Sequence, residues 1–199
     1  MRYKHSDYIC VLDTETTDVY WNSCGPVQIA AEIVDATGKV IDSFNERINT
    51  THKINPDASR VHGIYAADLV NCRKESAVLL DFCAWMHNWH VDTILTYNGE
   101  AFDRPMLNCR CETLHIDTDY FIKDKFPGVD VHRRTVEPAK KANLFGLKEL
   151  GRKWKLTLVS EKLGLSTENA HDALADVRMT KLVFFTLDPL VHPEDWEED

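Results

Sequence analysis

Four acidic residues in three separated segments of the chain have side chains that could bind divalent cations together. Asp13 and Glu15 lie near the amino terminus, Asp103 lies in the middle, and Asp176 lies near the carboxyl end, five residues after His171. Carboxylate oxygens are ligands that suit Mg²⁺ or Mn²⁺ better than zinc. If the four carboxylates converge in the folded protein, the chemistry that they support is metal-assisted phosphodiester cleavage.

Asp13 and Glu15 follow an apolar run, residues 8–12, that is typical of a strand buried on both faces of a sheet. If the strand continues through Glu15, its two-residue period places both carboxylates on one face. Two such carboxylates repel each other unless a cation lies between them. Taken alone, such a pair is more often a strand end that begins a turn, so the other segments decide the interpretation.

Asp103 follows the segment Tyr97-Asn98-Gly99, which ends a predicted strand and opens a helix. Ligand sites in α/β sheets gather at strand ends, where both Asp13 and Asp103 fall. The alternative role of Asp103 is that of a first-turn acid that interacts with the helix dipole.

On one regular helix, two side chains five residues apart point about 140° away from each other. His171 and Asp176 can therefore face one site only if His171 lies just before the helix that carries Asp176. Asn169 and Asp172 are both candidate amino-terminal caps of that helix. The alternative interpretation is a lone histidine at a loop–helix junction.

The hydrophobic patterning predicts an α/β domain with a mixed sheet. The predicted strands are residues 8–12, 27–35, 40–48, 93–97 and 129–131, with Gly38 in the hairpin turn between the second and third. The predicted helices are residues 76–89, 101–114, 144–154, 161–163 and 173–185. Residues 49–74 are predicted to be irregular, with at most a short helix at 65–69.

Composition predicts one ordinary globular domain over residues 1–190, followed by a short acidic tail, residues 191–199, that is expected to be frayed. No stretch reaches the roughly 20 apolar residues of a membrane span, and the first seven residues do not resemble a secretory leader. A cytoplasmic location without membrane association is therefore expected. The net charge of −9 argues against a large, non-specific nucleic-acid-binding face.

Four segments of the chain resemble motifs of the DnaQ-like 3′–5′ exonucleases of the DEDDh type, a family that includes proofreading subunits, ribonuclease T and oligoribonuclease. The resemblance covers nearly the whole chain, and the segments occur in the family's order. They are residues 11–17 (VLDTETT), 60–64 (RVHGI), 96–103 (TYNGEAFD) and 171–177 (HDALADV).

The resemblance implies a ribonuclease H-like fold with a central mixed five-stranded sheet flanked by helices. It implies that Asp13, Glu15, Asp103 and Asp176 hold two Mg²⁺ or Mn²⁺ ions around the scissile phosphate, with Asp13 bridging both. His171 is implied as the general base on the attacking water. The sister subtype instead has a tyrosine four residues before the last aspartate, where this chain has an aspartate.

The resemblance also implies a set of residues that contact the terminal nucleotides of a substrate: Thr14, Thr16, Val19, His62, Asn98 and Phe102. A structural role for His62 in its own turn is equally consistent. The chain departs from the family pattern at Asp18, where a glycine usually follows the DTETT run. Tyr20 and Trp21 follow, and stacking on bases and covering a sheet edge are both open interpretations of these aromatic residues.

The predicted function is that of a 3′–5′ exonuclease on single-stranded nucleic acid, with DNA favoured, that releases 5′-mononucleotides. RNA trimming of the oligoribonuclease or ribonuclease T kind is an open alternative. A non-catalytic scaffold is a second alternative, and the presence of all five catalytic residues argues against it. Single-stranded 3′ ends are the expected ligands, and a DNA polymerase or another replication protein is a candidate partner.

Overall fold

A six-stranded mixed sheet lies at the centre of the protein, which the computed structural model describes over residues 1–152 and 154–198. The strands are β1 (Arg2–Tyr3), β2 (Tyr8–Thr16), β3 (Pro26–Asp35), β4 (Val40–Asn49), β5 (Arg73–Lys74), β6 (Thr93–Thr96), β7 (Gly128–Asp130) and β8 (Trp196–Glu197). The central sheet has the order β5-β4-β3-β2-β6-β7. β2 is antiparallel to β3 and parallel to β6, so the carboxyl ends of β2 and β6 lie at the same edge.

The helices and the sheet together confirm the predicted α/β class and the ribonuclease H-like architecture. The α-helices are α1 (Pro56–His62), α2 (Ala66–Leu69), α3 (Glu75–Asn88), α4 (Asp103–Thr113), α5 (Glu137–Lys141), α6 (Leu156–Lys162) and α7 (Ala173–Val191). A π-helical turn covers His132–Val136, and 3₁₀ turns cover Leu144–Leu150 and Pro193–Asp195.

β2 is buried on both of its faces, as its apolar sequence predicts. Cys10 and Leu12 pack into the hydrophobic cluster that includes α3 and α4, whereas Ile9 and Val11 pack into the cluster under α7. Alternate side chains of one strand therefore join two cores, which fixes the strand's position and register.

The predicted number of five strands was too low because it omitted β5. This strand has two polar residues and pairs in parallel with Ile48 and Asn49 of β4. A strand of two residues forms because it pairs with β4, and it is too short to show hydrophobic alternation. The hydrophobic pattern of the sequence therefore does not indicate it.

Two helical predictions were also wrong. Residues 49–74 are not mainly irregular, because α1 begins after Asn55, whose side chain accepts a hydrogen bond from the backbone of Asp57. Within the predicted helix of residues 144–154, Leu144–Leu150 form a 3₁₀ turn interrupted at Phe145 (φ 50°) and Gly146 (φ 69°), which a regular helix cannot accommodate. Lys153 lies outside the described residues.

The acidic carboxyl segment is not frayed over its described residues, 191–198. β8 pairs with β1 in a separate two-stranded sheet, and Trp196 is buried against Tyr3 and Phe184. Arg134 forms ion pairs with Asp188 of α7 and with Asp195, which attaches the segment to the domain. Within the described part of the chain, no helix combines the length and apolar character needed to cross a lipid bilayer.

Candidate active site

Three of the predicted metal-binding carboxylates meet at the carboxyl end of β2. The strand runs through Thr16, so Asp13 and Glu15 lie on one face of it, as their spacing predicts. Asp176 reaches the same point from the first turn of α7. Carboxylate oxygens of Asp13, Glu15 and Asp176 all lie within 4.8 Å of one another.

Asp103 is the first residue of α4 and lies outside this group of three. Its side chain accepts a hydrogen bond from the hydroxyl of Thr14, on the opposite face of β2 from Asp13 and Glu15. Gly99 allows this approach, because a Cβ atom there would lie 2.7 Å from the Oδ2 atom of Asp103. Thr14 therefore contacts an acidic residue rather than the cleft that holds the other predicted substrate-binding residues.

Mutual repulsion and burial make ionisation of these carboxyl groups unfavourable. Burial raises the pKa of Asp13 well above its usual value, and the charges of Asp103, Asp176 and Glu15 raise it further. Burial followed by the charges of Asp176 and Asp103 raises the pKa of Glu15 to about 8. Burial also raises the pKa of Asp103 to about 6, although the hydrogen bond from Thr14 opposes this shift.

The donor set fits divalent cations that prefer oxygen ligands. Buried carboxylates of like charge need a positive partner, and a bound cation of charge two supplies it more fully than water does. Burial likewise raises the pKa of Asp176, whereas hydrogen bonding from the His171 backbone lowers it. No sulfur or imidazole ligand belongs to the group of three carboxylates, which is the chemistry expected for Mg²⁺ or Mn²⁺.

His171 lies just before α7, which is the position that allows it to face the site together with Asp176. Of the two candidate caps, Asp172 occupies the N-cap position, and its side chain accepts hydrogen bonds from the backbones of Leu174 and Ala175. The backbone N–H of His171 donates to Oδ1 of Asp176 at 3.4 Å. The exposed imidazole and Asp176 line one cleft of about 560 Å³.

Five of the six predicted substrate-binding residues line a second cleft of about 460 Å³, which also includes Glu15. These five are Thr16, Val19, His62, Asn98 and Phe102. The opposite wall is formed by Asn55, Ala58 and Val61 at the start and on the outer face of α1. Apart from Thr14, the sequence-predicted residues are therefore brought together beside the carboxylates.

His62 holds the turn after α1 through both of its ring nitrogens. The backbone N–H of Ile64 donates to Nδ1 at 3.0 Å, so Nε2 carries the proton and donates to the carbonyl oxygen of Thr16 at 3.3 Å. Burial lowers the pKa of His62, which favours this neutral form. The structure thus supports a positioning role for His62 at the edge of the cleft.

Asp18, the departure from the family pattern, connects the loop after β2 to the cap of α1. Its side chain accepts hydrogen bonds from the backbone of Val19 at 2.6 Å and from the side chain of Asn55 at 3.2 Å. The next residues point outward: the exposed fractions are 74% for Val19, 65% for Tyr20 and 42% for Trp21. Both aromatic side chains are exposed enough to be accessible to a ligand, so stacking on bases stays a prediction.

Sequence reasoning missed Asn55 and Asp130. Asn55 could have been found, because an asparagine followed by proline is a common start of a helix. Asp130 ends β7, and its Oδ1 atom accepts backbone hydrogen bonds from Asn98 at 3.1 Å and from His132 at 3.0 Å. The signal in the sequence was the position of Asp130 at a strand end. Asp130 holds the backbone of Asn98, which lies between the two clefts.

Comparisons with known proteins assign most of the chain to one family. Residues 10–184 match the sequence model of a family described as exonuclease. The chain is 29% identical over 174 residues to the PolC-type DNA polymerase III of Thermotoga maritima. The aligned region covers 87% of this chain and 11% of the polymerase. The corresponding Thermotoga petrophila polymerase matches with the same identity and coverage.

Solved structures with a similar fold include E. coli exonuclease I in complex with single-stranded DNA. One complex has a TM-score of 0.76 and 21% identity, covering 95% of this chain and 42% of that chain. A complex with a dA16 oligonucleotide has a TM-score of 0.75, 21% identity and the same coverage. The chain therefore spans less than half of the exonuclease I chain and about a ninth of the polymerases.

Proposed function

This chain belongs to the exonuclease family, and we propose that it is a divalent-metal-dependent 3′–5′ exonuclease that releases 5′-mononucleotides from single-stranded nucleic acid. The observation that carries the proposal is the convergence of Asp13, Glu15 and Asp176 within 4.8 Å, beside a cleft of the size of a nucleotide. We expect residues 1–190 to form the catalytic domain, with residues 191–199 attached to it as a short acidic segment.

Asp13, Glu15, Asp103 and Asp176 would hold the two cations, with Asp13 shared between them. When bound, the ions would lower the pKa of an attacking water and stabilise the leaving 3′ oxygen. The burial and mutual repulsion of these carboxylates support this assignment, because both penalties are relieved by positive charge. The bond from Thr14 would keep Asp103 oriented at the edge of the group.

His171 would accept the proton of the attacking water on its imidazole. Its backbone bond to Asp176 and the Asp172 cap keep it at the amino terminus of α7.

The cleft between α1 and Asn98 would bind the 3′-terminal nucleotide. Phe102 and Val19 offer apolar surface to a base, and exposed Tyr20 and Trp21 offer further stacking surface. Single-stranded DNA is the favoured substrate, supported by the fold shared with DNA-bound exonuclease I. The similarity to part of PolC-type polymerases supports a replication polymerase as a candidate partner.

The test compares Asp13→Ala and Asp176→Ala with the wild-type protein on a 5′-labelled oligonucleotide. We expect both variants to lose 5′-mononucleotide release while keeping their circular dichroism spectra. Asp124→Ala, which removes an exposed carboxylate distant in sequence from the cluster, serves as the matched control and is expected to keep full activity. Full activity in either cluster variant contradicts the assignment, and a folded wild-type protein without activity favours the scaffold alternative.

Parallel digestions of matched DNA and RNA oligomers, from dinucleotides to about 20-mers, decide the substrate. We expect DNA to be degraded faster than RNA of the same sequence. Faster digestion of RNA dinucleotides would instead assign the protein to small-oligoribonucleotide hydrolysis.

A further inference from the structure

The positive charge of this acidic chain is concentrated in one segment beside the active site. Residues 133–162, here called the basic segment, contain nine of the chain's 23 Lys and Arg residues but three of its 32 Asp and Glu residues. The basic segment therefore carries a formal charge of +6, whereas the remainder carries −15. Such segregation produces a local positive potential that the net charge conceals.

Most of these cations are available to a ligand. Arg134 is paired with Asp188 and Asp195, and Lys162 is paired with Glu149. In contrast, Arg133, Lys141, Lys148, Arg152 and Lys155 are exposed and form no ion pair with the described residues.

Three clefts connect the carboxylates to the basic segment. The nucleotide cleft beside α1 and the 560 Å³ cleft beside His171 both include Asn98 in their walls. The 560 Å³ cleft in turn shares Trp154 with a third cleft of about 280 Å³, whose walls include Lys141 and Lys148. Shared wall residues therefore link the nucleotide cleft, the cleft beside Asp176 and the exposed lysines in series.

The walls of this path combine aromatic rings with cations. Trp154 packs edge-on against His132 with ring centroids 4.7 Å apart, and the Nζ atom of Lys140 lies 3.6 Å from the centre of the Trp154 ring. Lys155 lies in the same cleft. Aromatic side chains that stack on bases, interleaved with lysines that neutralise phosphates, are the pattern by which proteins bind single-stranded nucleic acid without sequence preference.

We propose that the single strand 5′ of the scissile bond runs from the carboxylate cluster through the His132–Trp154 cleft and over Lys141 and Lys148. The direction of the strand rests on the proposed function, which places the 3′-terminal nucleotide beside α1. The proposal adds a binding site for several nucleotides upstream, recognised through the phosphodiester backbone that DNA and RNA share. We expect dinucleotides to be too short to reach Lys141 and Lys148, so that these lysines act on longer strands.

The test is the double variant Lys141→Gln and Lys148→Gln, with Lys39→Gln and Lys123→Gln as the matched control that removes two exposed lysines elsewhere. Binding of labelled single-stranded DNA and RNA of about 12 nucleotides is measured by fluorescence anisotropy in an Asp13→Ala background, which blocks cleavage. We expect Kd to rise about tenfold at about 0.15 M salt, and the slope of log Kd against log salt to fall by about 1.4, because each phosphate contact on a single strand contributes about 0.7.

The control variant is expected to bind as tightly as the parent, and thermal melting of both variants is expected to be unchanged. In the catalytically intact background, dinucleotide hydrolysis by the Lys141/Lys148 variant is expected to equal that of the wild type. The proposal is overturned if the Lys141/Lys148 variant binds both DNA and RNA as tightly as the parent, or if the control variant loses as much affinity. Unchanged binding by the Lys141/Lys148 variant would point instead to an acidic protein as the ligand of the basic segment. If the wild-type protein hydrolyses no substrate but the Lys141 and Lys148 substitutions still weaken binding, the proposed function is refuted and the binding path is supported.

Discussion

Replacing Glu15 by glutamine should stabilise the metal-free protein at alkaline pH while it removes a proposed metal ligand. Burial and the charges of Asp176 and Asp103 raise the pKa of Glu15 from 4.5 to about 8. Between these two values the folded protein retains a proton that the unfolded chain has lost. The free energy of unfolding therefore falls as pH rises from 4.5 through about 8, because the native state binds more protons than the unfolded state.

The magnitude follows from the pKa difference. Each unit corresponds to about 1.4 kcal/mol, so an isolated group with this shift loses about 3 kcal/mol between about pH 5.5 and about pH 8.5. Asp13, Asp103 and Asp176 still repel one another in the variant, so we expect the pH-dependent gain from Glu15→Gln to be about 1.5–3 kcal/mol. For a chain of 199 residues this gain corresponds to about 3–12 °C in melting temperature.

The assay is thermal unfolding in chelator at both pH values, with Glu161→Gln as the control at an exposed glutamate. The wild type and the control should melt at lower temperature at the higher pH, and Glu15→Gln should lose part of that dependence. Added Mg²⁺ should raise the melting temperature of the wild type more than that of the variant. Equal effects of Glu15→Gln at both pH values, or destabilisation at the higher pH, would refute the electrostatic reasoning.

Two further predictions concern His171 and Arg104. His171→Ala should lower turnover by about 10²–10⁴ with the fold intact, the usual scale for a lost general base, and an unchanged turnover would remove His171 from that role. Arg104 is 1% exposed, pairs with Glu100 at 2.7 Å and donates to the carbonyl oxygens of Tyr120, Ile122 and Phe126. Arg104→Met should lower the free energy of unfolding by about 3–5 kcal/mol, because it leaves Glu100 unpaired in a largely buried position. Urea unfolding measures this loss, and a change below about 1 kcal/mol would show that the ion pair contributes little to stability.

The convergence of the site was predictable from the sequence because local rules apply to each part of it. The apolar run of β2 indicates a central strand, and its period places Asp13 and Glu15 on one face. A turn after β6 places Asp103 at the same sheet edge. The separation of His171 from Asp176 requires the histidine to precede α7, and it does.

The features that sequence reasoning missed depend on contacts between distant segments. β5 exists because β4 offers a parallel partner, and the carboxyl segment is ordered because Arg134 and β1 bind it. The bond from Thr14 to Asp103 joins residues 89 positions apart, and no local pattern indicates it. α1 is different, because its asparagine–proline start was present in the sequence and was not used.

Product analysis of the wild-type protein with Mg²⁺ tests the central claim most directly. A 5′-labelled single-stranded DNA oligonucleotide should shorten progressively from its 3′ end, with release of 5′-mononucleotides and with activity that disappears in chelator. Internal cuts, shortening from the 5′ end, or products that carry a 3′ phosphate would contradict the proposed role of the carboxylate cluster.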